Sequence, residues 1–425
     1  MRVLIVNTSE RKGGAAIAAS RLNDALNNNG VKARMLVRDK QSDTLTVIPT
    51  GHRWLMRWRF LWERWCIFCR LMFQRANLFA IDTAQCGMDI TSQPEFREAD
   101  IIHLHWVNQG MLSLGDIRRI LKSGKPVVWT MHDYWPATAI CHLPLSCASF
   151  KTGCHHCRYL PGGGSSHDLS TRIWRRKQDL LSKYHITFVA CSEWLASEAR
   201  KSALLREQKV VSIPNPIDTR VFHRTDSGEA RRRLGLPTDK RLLLFAAQRV
   251  DNANKGISYL MKACDKLVAD HPETKDEVHL LLLGAKAEVP ADAFGGLTVH
   301  GLGYVDDAAT LVDIYNAADA FVLPSLSENL PNTIMEAMAC GTPCIGFHVG
   351  GIPELIDHRQ NGYVATYRDV ADLAAGIRWT LYDAPAADLS DHAVGKVARN
   401  YSQTAVAAQY CDIYHEILTM KHLGL

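Results

Sequence analysis

Short, continuous apolar runs recur along this chain, and between them apolar residues return every three or four positions. The first pattern is that of strands buried on both faces, the second that of amphipathic helices covering them. Strands are predicted at residues 2–7 ("RVLIVN"), 100–106, 126–132, 185–192 and 210–215. A second series starts at 241–248 ("RLLLFAAQ") and continues at 278–284, 319–325 and 342–347. Helices are predicted at 15–29, 256–270, 307–317, 331–340 and 369–382. This alternation predicts an α/β chain of two doubly wound, Rossmann-like domains facing a cleft, each binding ligand at the carboxyl ends of its strands. The Pro- and Asp-rich stretch 214–228 is the expected linker. The predicted boundaries are 1–215 for the N-terminal domain, 216–395 for the C-terminal domain, and 396–425 for a terminal helix packing back on the N-terminal one.

Composition narrows the class. At 425 residues the chain is too long for one ordinary core, and its 47% apolar and 22% charged residues are those of a soluble globular protein. The opening apolar run, Val3 to Val6, is too short for an export signal, and no uncharged apolar run is long enough to span a bilayer. A cytoplasmic location follows as an expectation, and with it twelve cysteines that are mostly reduced.

The net charge of +5 is local, because residues 52–75 hold six arginines and a single acid, Glu63, giving 6 − 1 = +5. At about 100° per residue, Trp54, Trp58, Leu61, Trp62, Trp65, Phe68 and Met72 share one helical face, with arginines on its flanks and far side. That pattern suits a helix lying in the surface of the cytoplasmic membrane, peripheral on its inner face. Each arginine near an anionic leaflet would add on the order of 1 kcal/mol. It also suits a helix packed on its own domain, with arginine stems covering the core. Cys66 and Cys69 read as packing residues.

Two further stretches carry chemistry. "CHLPLSCASFKTGCHHC" gathers Cys141, Cys147, Cys154 and Cys157 in 17 residues. The Cys-x2-Cys pair suits a structural zinc, with His142, His155 and His156 as alternative ligands; ordinary thiols and disulfides are the competing readings. "LPSLSENLPNTIMEAMACGTPCIG" places Glu328 before, and Glu336 inside, a helix that Pro331 opens and Gly341 closes. Helix-start amides near Asn332 and Thr333 seat phosphate, while carboxylates accept from paired hydroxyls. Phosphate beside hydroxyls describes a nucleotide sugar. The bland alternative is an acid near a helix N-terminus, favoured by its dipole.

The Glu-x7-Glu block with "AMACGTPCIG", together with "GGIPELI" (350–356), "NGYV" (361–364), "AQRVDNANKG", "IPNPID" and the N-terminal "GGAA", resembles the retaining glycosyltransferases of family four, which have the GT-B fold. The likeness implies a hexose moved from a UDP- or GDP-sugar to a saccharide acceptor, lipid-linked, in bacterial surface polysaccharide synthesis. The four-cysteine insertion resembles that of exopolysaccharide transferases of the colanic acid type. The family implies roles residue by residue. Glu336 binds the nucleotide ribose and Glu328 the transferred sugar. Arg249 and Lys255 neutralise the diphosphate, and Gly13 and Gly14 let the backbone approach it. Gly303, Tyr304 and Val305 pack the base, and Asn329, Leu330, Pro331, Asn332 and Thr333 complete the donor site.

His132 stands where the family has a histidine beside donor sugar and acceptor; a core or capping histidine is the alternative. Asp133 orients that ring or caps the following turn. His105 contacts acceptor or is structural. Asn329 and Pro216 stand where the family commonly has glycine, which bears on donor contacts and on hinge stiffness. No Asp-x-Asp pair occurs, so no cofactor is expected for catalysis and any zinc would be structural. The rival readings are a sugar-nucleotide epimerase or hydrolase on the same scaffold, and a basic, metal-bearing nucleic-acid-binding protein. Against the latter, the charge outside 52–75 sums to zero.

Overall fold

The computed structural model describes residues 1–51, 53–249, 252–285 and 293–423. The chain divides into two compact units, Met1–Pro216 with Val406–Leu425, and Ile217–Ala405. In the first, β1 (Arg2–Ser9), β2 (Lys32–Asp39), β3 (Val47–Pro49), β4 (Ile101–Leu104), β5 (Val127–Met131), β6 (Thr187–Ala190) and β7 (Lys209–Ser212) make one sheet. In the second, β8 (Arg241–Arg249), β9 (Val278–Ala285), β10 (Thr298–Gly303), β11 (Ala320–Leu323), β12 (Cys344–Phe347) and β13 (Gly362–Ala365) make another. The orders are β3-β2-β1-β4-β5-β6-β7 and β10-β9-β8-β11-β12-β13. The pairs are parallel throughout. Each unit is therefore a doubly wound Rossmann-like domain, with its strand order reversing beside β1 and beside β8.

Four strands go beyond the sequence reading. β2 ("KARMLVRD") carries Lys32, Arg34 and Arg38 among its apolar positions, and β3 and β13 have only three and four residues. β10 has no apolar run at all. The predicted helix 369–382 is an α-helix only over Val370–Arg378 and continues as a π turn through Asp383.

Both faces of the first sheet are buried, as a parallel sheet requires. Val3 and Ile5 pack with α1 (Gly14–Asn28) and with Tyr410 and Tyr414 of the Gln403–Leu423 helix. Leu4 and Val6 pack on the other side with Met56, Ile67 and Leu71. The first two of these lie in α2 (Arg53–Arg70), which is shorter than the 52–75 segment. Met72 and Phe73, with positive φ, turn out of the helix end. α2 packs on its own domain through Met56, Ile67 and the stem of Arg64, as one of the two readings expected, while its tryptophan face stays exposed. Among the described residues no helix is long and apolar enough to cross a membrane.

Candidate functional site

The residues singled out above collect at the carboxyl ends of strands flanking the two reversal points. In the second unit β8 ends at Arg249, whose side chain lies outside the described residues. A 3-10 turn, Ala253–Lys255, follows, then Gly256 at φ +74°. A Cβ on Gly256 would stand 1.8 Å from the carbonyl oxygen of Pro324, so only glycine admits this approach. The contact holds the β8 turn against the loop after β11. The Asn254 amide donates to the Ser327 carbonyl at 2.8 Å, and the Leu326 N–H to the Asn254 carbonyl at 2.8 Å. Tyr367 donates to the Leu326 carbonyl at 3.0 Å. At Gly350 (φ +58°) an added Cβ would sit 1.7 Å from the Glu328 carbonyl oxygen.

This fixed loop presents Glu328, whose Oε1 pairs with the Lys255 ammonium and accepts from the Ser325 hydroxyl at 2.9 Å. Both members keep some solvent exposure, Lys255 27% and Glu328 13%. The next helix runs Asn332–Ala339, so Pro331 is its N-cap and not its first helical residue. The reason is its extended ψ of 118°, with its carbonyl accepting from the Ile334 and Met335 amides. Glu336 is buried inside that helix and accepts from the Tyr315 hydroxyl at 2.8 Å. Asn329, Asn332 and Thr333 are half-buried, and Leu330 is buried. Gly303 ends β10 at φ +70°, followed by exposed Tyr304 and half-buried Val305.

In the first unit Gly13 (φ +91°) caps α1 and Gly14 opens it, after the loop that leaves β1. His105 and His132 follow β4 and β5. Their rings stack, with His105 Nδ1 3.0 Å from His132 Nε2. His132 Nδ1 lies 3.3 Å from the Cys191 sulfur, whose thiol donates to the Met131 carbonyl. His103 lies against His105 and bonds Tyr414 and Thr130, each at 2.7 Å. Burial holds His132 down to about 4 and His103 down to about 3, and keeps His105 well below the usual imidazole range. All three are neutral at physiological pH.

Asp133 caps the turn through the Trp135 amide (2.8 Å), and its other oxygen accepts from Trp106 (2.9 Å) and His142 (2.8 Å). Burial alone would raise it, but His142 and these hydrogen bonds hold it below the usual carboxylate range. His142, an alternative metal ligand in the sequence reading, is thus committed to Asp133.

Cys141, Cys147, Cys154 and Cys157 are free thiols, which removes the disulfide reading. All four line one small cavity with His155 and Tyr159. Burial pushes the Cys141 and Cys154 thiols up to about 12. No group of three or more His, Cys, Asp or Glu among the described residues is arranged to hold a metal ion.

Sequence reasoning missed Tyr315, Ser325, Asn254, Trp106 and Cys191. Tyr315 alone left a signal: a tyrosine in a helix as apolar as Ala308–Ala317 buries a hydroxyl that requires a partner.

Two parallel sheets of seven and six strands, each with a polar cluster at its reversal point, make a glycosyltransferase fold of the GT-B type. A structure of Anabaena Alr3699/HepE in complex with UDP-glucose aligns with a TM-score of 0.62 at 16% identity, covering 98% of this chain and 100% of that one. Residues 12–221 match the model described as Glycosyltransferase Family 4, and residues 240–383 that described as Glycosyl transferases group 1. The chain belongs to the family-four glycosyltransferases. A D-inositol 3-phosphate glycosyltransferase of Thermobispora bispora is 31% identical over 50% of this chain and 52% of that one. An uncharacterized glycosyltransferase of Methanocaldococcus jannaschii is 27% identical over 81% of this chain and 91% of that one. The chain spans about half the length of the D-inositol 3-phosphate enzymes it matches.

Proposed function

We propose that the chain transfers a hexose from a nucleotide-diphosphate sugar to a saccharide acceptor with retention of anomeric configuration. The observation that carries this is the Lys255–Glu328 pair on a loop fixed at Gly256 and Gly350, with Glu336 eight residues beyond. In this reading Lys255 and Arg249 neutralise the diphosphate, Glu328 accepts from hydroxyls of the transferred sugar, and Glu336 accepts from the ribose. Gly13, Gly14 and the Asn329–Thr333 segment approach the phosphates, and Gly303, Tyr304 and Val305 face the base. The donor class draws support from the UDP-glucose bound by the Anabaena neighbour. The bond between the anomeric carbon and the phosphate oxygen breaks while the acceptor hydroxyl bonds on the same face, and its proton passes to the departing phosphate. Fixed cations stabilise the charge that grows there. In this reading neutral His132, whose ring nitrogens face His105 and Cys191, borders the sugar without adding charge. No metal has a role in this scheme. The acceptor is lipid-linked and belongs to surface polysaccharide synthesis, with the enzyme resting on the inner face of the plasma membrane.

The test is thermal unfolding of the full chain with UDP-, GDP- and ADP-sugars, followed by turnover with the stabilising donor. One nucleotide series should raise the melting temperature, and Glu328→Ala should lower turnover by roughly 100-fold or more. Wild-type turnover in Glu328→Ala would refute the assignment. Donor consumed at full rate without acceptor would make the protein a hydrolase.

A further inference from the structure

α2 has two dissimilar faces. Its inner face buries Met56, Ile67 and Leu71 in the core and ties Arg64 to Asp82 at 2.7 Å and to the Leu78 carbonyl at 2.8 Å. Glu63, the only acid of the helix, is fully buried on that face. Burial and the adjacent Asp82 push its carboxyl up to about 9, so it is carried as the neutral acid. The outer face shows the reverse of what a soluble surface shows. Trp54, Trp58, Trp62 and Trp65 are each more than half exposed, with Leu55 and Leu61 between them. Isolated exposed apolar residues need no explanation, but a contiguous patch of this size marks a contact surface.

The arrangement of charge says what makes that contact. On a helical projection the exposed apolar residues fill one arc of roughly 120°. Arg57 stands at one edge of the arc, and Arg59 and Arg70 at the other; Arg57 and Arg70 are exposed and Arg59 is half-buried. No acid is exposed on the helix. Two basic flanks straddling an indole ridge meet a flat sheet of anionic headgroups with every cation at the same depth, and indoles prefer that depth. Met72 and Phe73, exposed just past the helix end, lengthen the ridge. We propose that this face of α2 seats the chain on an anionic lipid bilayer, with the helix lying in the plane of the headgroups.

A second consequence follows from the inner face. Most amphipathic helices order only on reaching lipid, but α2 is already built onto the sheet through its core contacts and the Arg64–Asp82 pair. Docking therefore adds no helix. Arg64 takes no part in the attraction, because its guanidinium is spent internally. The inference deepens the membrane placement within the proposed function and rests on it, but its test is separable from sugar transfer, since lipid binding needs neither donor nor acceptor.

The experiment is sedimentation of the full chain with phosphatidylcholine vesicles, with and without phosphatidylglycerol. Binding should appear with the anionic vesicles, weaken as salt is raised, and leave the far-ultraviolet circular dichroism unchanged. Trp58→Glu/Trp62→Glu should reduce the partition coefficient by roughly tenfold or more while keeping the wild-type melting temperature. Arg57→Gln/Arg70→Gln is a second, milder variant that should lower binding and flatten the salt dependence. Absence of binding to anionic vesicles at low salt would overturn the proposal, as would wild-type binding by both variants. A dimer in size-exclusion chromatography that the tryptophan variant disperses, with no vesicle binding, would assign the face to a second copy and also overturn it.

Discussion

At the carboxyl edge of the first sheet the imidazoles of His103, His105 and His132 are buried and neutral, and Asp133 is fully occupied by Trp106, His142 and the Trp135 amide. At the same edge of the second sheet a lysine and a glutamate face each other with some exposure to water. The strand orders that produce these edges reverse in the same way, so topology does not set the difference. Loop construction does. In the second unit, glycines at 256 and 350 let backbone come within contact distance of the Pro324–Glu328 segment, and the charges ride on a scaffold fixed by main-chain bonds. In the first unit the polar groups hold one another, ring against ring, under the Tyr410 and Tyr414 hydroxyls. The second edge carries a partly exposed ion pair, the first a buried stack of neutral imidazoles.

The comparison is broken most severely by removing the glycine that only the second unit uses. Gly350→Ala drives a methyl group into the Glu328 carbonyl, and the loop must move. Donor-dependent thermal stabilisation should vanish, and the melting temperature of the unliganded chain should fall. Retention of both would show that the loop is not held there. Next in size, Lys255→Ala should weaken donor binding by roughly 100-fold, measured by calorimetry, with little change in melting temperature, because a partly exposed pair adds little to folding.

Acid should act on the other edge. The three imidazoles bind protons more weakly folded than unfolded, so stability is present above pH 6.5 and is lost as pH falls toward about 4 through the His132 range. A melting curve series from pH 7.5 to 4.5 reads this, and His132→Gln should flatten it. An unchanged slope in that variant would remove His132 from the acid response. The smallest expected effect is Tyr315→Phe. Deleting one hydrogen bond to Glu336 should raise the donor KM about five- to tenfold, in keeping with roughly 1–1.5 kcal/mol. A change in kcat with KM untouched would mean that Glu336 acts elsewhere than in binding.

Much of this architecture was legible from apolar runs, since a strand buried on both faces has few other ways to be written. β2 and β10 were not legible, because Lys32, Arg34 and Arg38 interrupt the one and the other has no apolar run. In α2 the periodicity brought the tryptophans to one face but did not say which face turns inward. That is decided by Asp82, 18 residues beyond Arg64, which draws the guanidinium into the core. Pro331 shows a finer limit: proline fixes φ, but the ψ of 118° that makes it a cap is set by its surroundings. The cysteine spacing was equally visible, while the distances between sulfurs, on which coordination depends, were not.

The Gln403–Leu423 helix has a consequence in time. Its tyrosines close the back of the first sheet over His103 and Thr130, yet the whole of Ile217–Ala405 separates them from the rest of their unit. During synthesis at roughly 5–20 residues per second, the amino-terminal half therefore waits on the order of 10–40 seconds with one side uncovered. It leaves the ribosome before the second unit and is completed after it, and through that interval its hydrophobic back stays uncovered.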